Sequence, residues 1–388
     1  MTSGHSLPSE EGWKGDQHRE HLTMKFIDEF RNAQLAQALV KEIKARVHQP
    51  IRLMEFCGGH THAILRFGIR KLLPPEVEML SGPGCPVCVT SSRDLDCAIA
   101  LSRISGAILT TFGDMVRVRG THENLQNARA RGADVRIVYS PQDALKLAEK
   151  HPHRPVIFLG VGFETTAPGI AASILEAKMK GLKNYFVFSL HKLTPPATRA
   201  ILEAGEVRLS GILGPGHVTT VIGSEAWKFL PDQYGVPIAV AGFEPIDILQ
   251  GISMLVDQIS KGQVRVDNAY SRSVLPQGNR TALSIMDRVF EVCDAEWRGL
   301  GALPRSGLRL REEYATFDAS KAFQISIIPG EEPPGCRCGE VLRGLLNPPQ
   351  CPLFRRVCNF ENPVGPCMVS AEGACSAYLQ FGDNGHED

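Results

Sequence analysis

From about residue 51 onward the chain keeps repeating one pattern, a short apolar run followed by a stretch with helical spacing. The runs are IRLMEF, VEMLSG, GAILTTFG, VRIVYS, PVIFLGVGF, YFVFSL, LSGILG and IAVAGF. They are rich in Val, Ile, Leu and Phe and apolar at successive positions, as strands buried on both faces are. Between them lie segments such as SSRDLDCAIALSRIS and SPQDALKLAEK, with helical apolar spacing behind a Ser or Pro start. Such alternation predicts an α/β fold with mainly parallel sheets. A chain of 388 residues exceeds one ordinary core and predicts two or three domains.

The chain also echoes itself. FCGGH, GPGC and FGDM follow one another in the first half, and FSLHK, GPGH and GFEP in the second. Phe56 matches Phe188, Gly82 matches Gly214, and Phe112 falls near Phe243. The echo predicts two copies of one α/β unit, over residues 21–140 and 141–262. A turn-rich stretch, VDNAYSRSVLPQGNR, then breaks the pattern, and TALSIMDRVFEVCDAEW reads as helical. After IIPGEEPPG the composition shifts to Cys, Pro and Gly, so residues 263–388 are expected to form a third, small unit tied by its cysteines.

Formal net charge is zero, with 43% hydrophobic and 22% charged residues. Bulk electrostatics therefore suggests neither nucleic acid nor a membrane surface as partner. The first 20 or so residues are polar, lack an apolar signal core and read as a disordered leader over 1–20. No apolar run reaches the roughly 18 residues of a membrane helix. A cytoplasmic location is expected, where thiols stay reduced. There, clustering among 11 cysteines points to metal or redox chemistry before structural disulfides.

In open α/β sheets ligands bind beyond the C-terminal ends of the strands. FCGGH, GPGCPVC, FGDM, GVGFETTAP, HKLTPP, GPGHV and GFEP all follow strand candidates and are expected on such edges. The tail cysteines are Cys336, Cys338, Cys351, Cys358, Cys367 and Cys375, spaced C-x-C-x12-C-x6-C-x8-C-x7-C. An iron–sulfur cluster needs four converging thiolates, and structural zinc usually takes close C-x2-C knuckles. The wide spacing suits a cubane cluster better than zinc or disulfides, and four ligands leave two thiols over. In GPGCPVC, Cys85 and Cys88 have the spacing of a dithiol–disulfide pair just ahead of a helix, whose N-terminus favours thiolate; half a metal site is the alternative. In FCGGHTH, Cys57 stands beside two glycines, His60 and His62, a set that suits a transition metal or a Cys–His nucleophile.

Asp114, Glu164, His191 and His217 are proton donors or acceptors on the same edges, or else loop and cap residues. Cys97 and Cys293 fall in apolar helical patterns and read as packing residues. Glu372, in MVSAEGAC, is placed to relay a proton near the cluster or to serve as a first-turn helix acid.

Taken together, these motifs resemble the HypD family of NiFe-hydrogenase maturation proteins. FCGGHTH, GPGCPVCV, TFGDM, GFETTAP, LGPGHV, GFEP and the tail PPGCRCGEVLRG…CPLF…GPCMVSAEGAC carry the likeness, from about residue 51 to Tyr378. The resemblance implies two similar Rossmann-like α/β domains with mainly parallel sheets and a small C-terminal iron–sulfur domain. It implies a 4Fe-4S cluster on Cys336, Cys351, Cys358 and Cys375, with Cys338 and Cys367 as a second redox pair beside Cys85 and Cys88. It implies that Cys57 binds the iron that becomes an Fe(CN)2CO unit, and that His60, Asp114, His217 and Glu372 are functional. The implied partners are a HypC-type small chaperone and a HypE-type cyanide donor.

The leading expectation is a redox-capable assembly scaffold; whether the chain itself turns over is left open. A stand-alone iron–sulfur thiol/disulfide oxidoreductase is the second reading and a zinc-stabilised binding module the third. No G-x-G-x-x-G opens a helix after a strand, so no flavin or nicotinamide fingerprint supports the second.

Overall fold

The computed structural model describes residues 28–327 and 332–382. The leader expected over residues 1–20 lies outside them. Strands β1 (Ile51–Glu55), β2 (Val77–Ser81), β7 (Gly211–Pro215), β8 (Ile238–Ala241) and β9 (Val266–Asn268) form one parallel sheet in the order β2-β1-β7-β8-β9. Strands β3 (Ile108–Thr111), β4 (Asp134–Ile137), β5 (Val156–Gly162) and β6 (Tyr185–His191) form a second in the order β4-β3-β5-β6, also parallel. Every residue of β3, β5, β7 and β8 is buried, as continuous apolar runs require when helices cover both faces.

The helices start where the sequence places capping groups. In Pro141–Lys150 the Ser140 side chain accepts from Asp143 N, and the Asp143 carboxylate accepts from Ser140 N. Pro245 opens the helix Pro245–Ser260, whose Ile248, Ile252 and Leu255 pack in one core with Val40 and Ile43 of Ala33–Arg46. Burying such a stripe contributes about 1.5–3 kcal/mol per large aliphatic side chain.

The sheets are not consecutive along the chain. After β2 the chain leaves the first sheet, builds the whole second sheet, and returns at β7. A boundary near residue 140 therefore separates β3 and β4 from their partners β5 and β6. The echo pairs β1 of the first sheet with β6 of the second, because Gly-rich ends of any buried parallel strand look alike. Residues 263–388 also divide differently. β9 joins the first sheet, and FEVCDAEW is not helical but strand β10 (Phe290–Trp297), antiparallel to β11 (Gly301–Leu310). Its burial alternates between buried Phe290 and Trp297, the period of a strand. This hairpin leans on β6, where Ser189 Oγ donates to Leu308 O (2.7 Å).

From Glu332 on the chain is a succession of short helices, among them Cys338–Leu342, Pro366–Val369 and Ala374–Phe381. Most of their buried side chains share one core with Met54, Phe56, Cys85, Cys88 and Trp297, while Val341, Leu346 and Ala374 form a small cluster of their own. No helix among the described residues is long and apolar enough to cross a membrane.

Candidate functional site

In the first sheet β2 and β7 lie on opposite sides of β1. That reversal of winding opens a crevice beyond the strand ends, where such folds bind ligands. Four loops meet there. β1 runs into Cys57 and the helix Gly58–Arg66, β2 into Cys85, β7 into His217, and β8 into Phe243.

Cys57 caps its helix, with His60 N (2.8 Å) and Thr61 N (3.3 Å) donating to its carbonyl. Buried Glu55, the last residue of β1, accepts from Cys57 N (3.0 Å) and from Thr61 Oγ1. Burial raises the Glu55 carboxyl to about 8. Burial first, then the nearby Glu372 carboxylate, pushes the Cys57 thiol up to about 12. The free thiol is therefore protonated at neutral pH, and binding a soft metal there must release its proton.

His60 is buried and kept neutral, its pKa lowered to about 4 by burial. Its Nε2 faces the carbonyls of Gly242 (2.9 Å) and Ala241 (3.2 Å), so Nε2 carries the proton and donates; Nδ1 has no partner. The Phe243 ring stacks between His60 (4.7 Å between centroids) and the exposed His217 (3.9 Å). The atoms packed around its ring lower the His217 pKa as well, although the residue keeps solvent access.

The tail closes the crevice from the other side. A Cβ on Gly58 would lie 2.3 Å from Glu372 O, so only glycine lets the tail backbone pass. Glu372 N donates to Ser370 Oγ (3.3 Å), which donates to Asp114 Oδ2 (2.9 Å) in the loop after β3. Glu372 keeps solvent access, yet the atoms packed around it, and then the Asp114 carboxylate, raise its pKa. Cys57, His60, Asp114, His217 and Glu372 thus surround one mouth built from both sheets and the tail.

Cys85 and Cys88 are joined as a disulfide, both buried, around the one-turn helix Pro86–Val89. The longer helix begins later, at Ser92, capped by Ser91, so the thiols sit one short turn ahead of the terminus that the sequence suggested. The loop rests on Cys57 itself. Gly58 N donates to Gly84 O (3.0 Å), and a Cβ on Gly84 would lie 2.3 Å from Cys57 N.

All six tail cysteines line one small cavity of about 10 Å³. Among the described residues no three His, Cys, Asp or Glu side chains converge closely enough to hold one ion. Cys338 is held below the usual thiol range by the hydrogen bond from Cys367, while bonds to Cys338 and Cys375, with burial, drive Cys367 well up. Burial pushes Cys336 up to about 12. Cys338 and Cys367, both free thiols, are therefore neighbours. Helix Pro366–Val369, which carries Cys367, packs against the disulfide helix Pro86–Val89.

Other candidates lie elsewhere. His62 turns to the edge of Phe381 (5.0 Å). Glu164 is buried and accepts from Thr194 N (2.8 Å), holding the start of helix Thr194–Ala204. His191 is buried, bonded through Nδ1 to Ser189 Oγ (2.9 Å). Cys97 and Cys293 are half-buried, Cys97 on the helix Ser92–Ser102 and Cys293 on β10. Sequence reading missed Glu55, Phe243 and Ser370 as walls of the mouth. For Glu55 a signal existed, an acid inside a run otherwise apolar enough to be buried on both faces.

The family model for HypD, described as "Hydrogenase formation hypA family", matches residues 34–382. The chain belongs to the HypD family. It is 50% identical to the hydrogenase maturation factor HypD of Azotobacter vinelandii over 368 residues, 92% of this chain and 97% of that one. It is 48% identical to the hydrogenase expression/formation protein HupD of Azotobacter chroococcum mcd 1, with the same coverage. Against HypD of Escherichia coli K12 the identity is 44%, over 92% of this chain and 98% of the other. The matched HypD region takes in both sheets and the tail, and so every residue of the mouth and of the cysteine cavity.

Proposed function

We propose that this chain is a hydrogenase maturation factor on which an Fe(CN)2CO unit is assembled. The observation that carries the reading is the placement of Cys57. A half-buried thiol stands at the crevice of the first sheet, with the loop that leads into the disulfide against its backbone and the helix carrying Cys367 of the six-thiol cavity packed on the disulfide helix.

The cargo iron would be held between Cys57 and a cysteine of a HypC-type small chaperone docked at the mouth. A HypE-type partner would deliver cyanide from a thiocyanate group. Soft thiolate suits iron with strong-field ligands. His60 is neutral and fixed by its carbonyl contacts, so it contributes position without charge. His217, Asp114 and Glu372, all exposed, would take up the proton that Cys57 releases on binding iron.

The ring of thiols fits a 4Fe-4S cluster better than a single zinc ion, and Cys336, Cys351, Cys358 and Cys375 would hold it. Its chemistry there would be electron supply. Cys338 and Cys367 would continue the thiol series toward Cys85 and Cys88. Packing of helices Pro366–Val369 and Pro86–Val89 supports that order. The stand-alone oxidoreductase is the weaker reading, because Cys85 (3% exposed) and Cys88 (0%) give a diffusing substrate no direct access.

An infrared spectrum of the chain, purified without oxygen together with its small partner, tests the proposal. Metal-bound CN and CO bands are expected in the native complex and absent from Cys57→Ala. Bands that survive in Cys57→Ala would remove Cys57 as the iron ligand.

A further inference from the structure

Arg298 follows Trp297 at the end of β10, and its side chain is only 2% exposed. Its backbone N donates to Val89 O (2.8 Å), and Nε donates to Thr90 O (3.0 Å). Both acceptors immediately follow Cys88 in the chain. Nη1 pairs with Glu332, a half-exposed carboxylate that also accepts from Ser92 Oγ (3.1 Å). Nη2 is buried and has no hydrogen-bond partner.

The next residue touches the backbone beside the cysteine cavity. A Cβ on Gly299 would lie 2.6 Å from Gly339 Cα, so the two backbones touch beside Cys338. Arg343 Nη1 donates to Gly299 O (2.9 Å) and ties the contact. Burial lowers the Arg298 pKa, and Cys338, Cys367 and Cys336, when ionised, counter that, ahead of Asp94. Asp94 is engaged by Lys192 Nζ (3.1 Å). A guanidinium with one face buried and unpaired is costly unless an anion compensates it. The Glu332 carboxylate supplies one anion, at Nη1, and leaves Nη2 without a hydrogen-bond partner; an anionic group in the adjoining cysteine cavity would supply the second.

We propose that Arg298 is a positioning residue whose fixed positive charge stabilises the anionic group in the cysteine cavity on the side facing the Cys85–Cys88 disulfide. The inference rests on reading the cavity as an iron–sulfur site. Four thiolates make such a cluster anionic, and one added electron makes it one unit more negative with no proton required. A buried cation favours the more negative state, and low-dielectric surroundings strengthen the effect. Arg298 therefore raises the potential at which the cavity accepts an electron.

The test is a potentiometric titration of the full chain, reconstituted anaerobically, followed by electron paramagnetic resonance. Native chain, Arg298→Lys and Arg298→Gln are compared, with iron and sulfide measured in each. The expected result is a lower potential for Arg298→Gln, by a factor of about ten in the reduction equilibrium, which is about 59 mV for one electron. Arg298→Lys, which keeps the charge, should stay near the native value. A native potential in Arg298→Gln at full iron content overturns the inference. If Arg298→Gln holds no cluster, retention in Arg298→Lys supports it, and loss in both overturns it in favour of packing. A native chain without an iron–sulfide chromophore overturns the cluster reading and this inference together, before any variant is made.

Discussion

Cys57 shows how a single residue is set by its neighbours. Glu55 and Thr61 fix its backbone, Gly84 and Gly58 let two other segments close on it, and burial keeps its thiol protonated at neutral pH. The buried titratable groups outside the mouth leave a mark on stability. Burial raises Glu164 from 4.5 to about 7, so its contribution is complete below pH 4.5 and is lost as pH rises through 7. Burial lowers His191 from 6.5 to about 3, so its contribution is complete above pH 6.5 and is lost as pH falls through 3. The two limbs oppose each other in the native chain and separate in variants. Relative to native, Glu164→Gln should gain up to roughly 3 kcal/mol between pH 4.5 and 7. His191→Phe should gain as pH falls below 6.5. Urea unfolding at several pH values reads both differences. A stability difference independent of pH in either variant would mean that the group is not buried in the form described.

The elements of this fold differ in what supports them. The parallel strands are supported by continuous apolar burial, and the tail helices by thiols around a cavity. Cys338–Leu342 and Pro366–Val369 have five and four residues, too short to hold themselves. Their order depends on side-chain packing and, in the proposed reading, on the cluster that the cysteines would hold. Cys351→Ser is expected to reduce iron and sulfide content to near background and to loosen the tail. Cys338→Ser, outside the proposed ligand set, should keep both. Visible absorbance with iron and sulfide analysis reads the pair. The opposite pattern would reassign the ligands.

At the scale of the molecule the mouth is a junction: β1, β2, β7 and β8 supply one wall, the loop after β3 a second, and the tail a third. Ser370 to Asp114 is one polar tie between the last two, and Arg117 Nη2 to Phe360 O (2.5 Å) is another. Removing one hydrogen bond costs about 1 kcal/mol, a factor of about five in local opening. Asp114→Ala should therefore speed hydrogen exchange about fivefold over residues 366–382 and leave β1–β9 unchanged. No change in the tail would show that it is held by packing alone. The α/β class, the placement of motifs at strand ends and the crowding of thiols in the tail were all legible in the sequence. Each depends on local spacing: successive apolar residues for a buried strand, Ser or Pro for a helix start, Gly before a polar tip. The interleaving of the sheets, the role of FEVCDAEW as a strand, and the meeting of Asp114 with Glu372 were decided only by the tertiary structure. Strand pairing and loop contact join residues far apart in the chain, and a run of buried apolar residues carries no mark of which sheet will bury it.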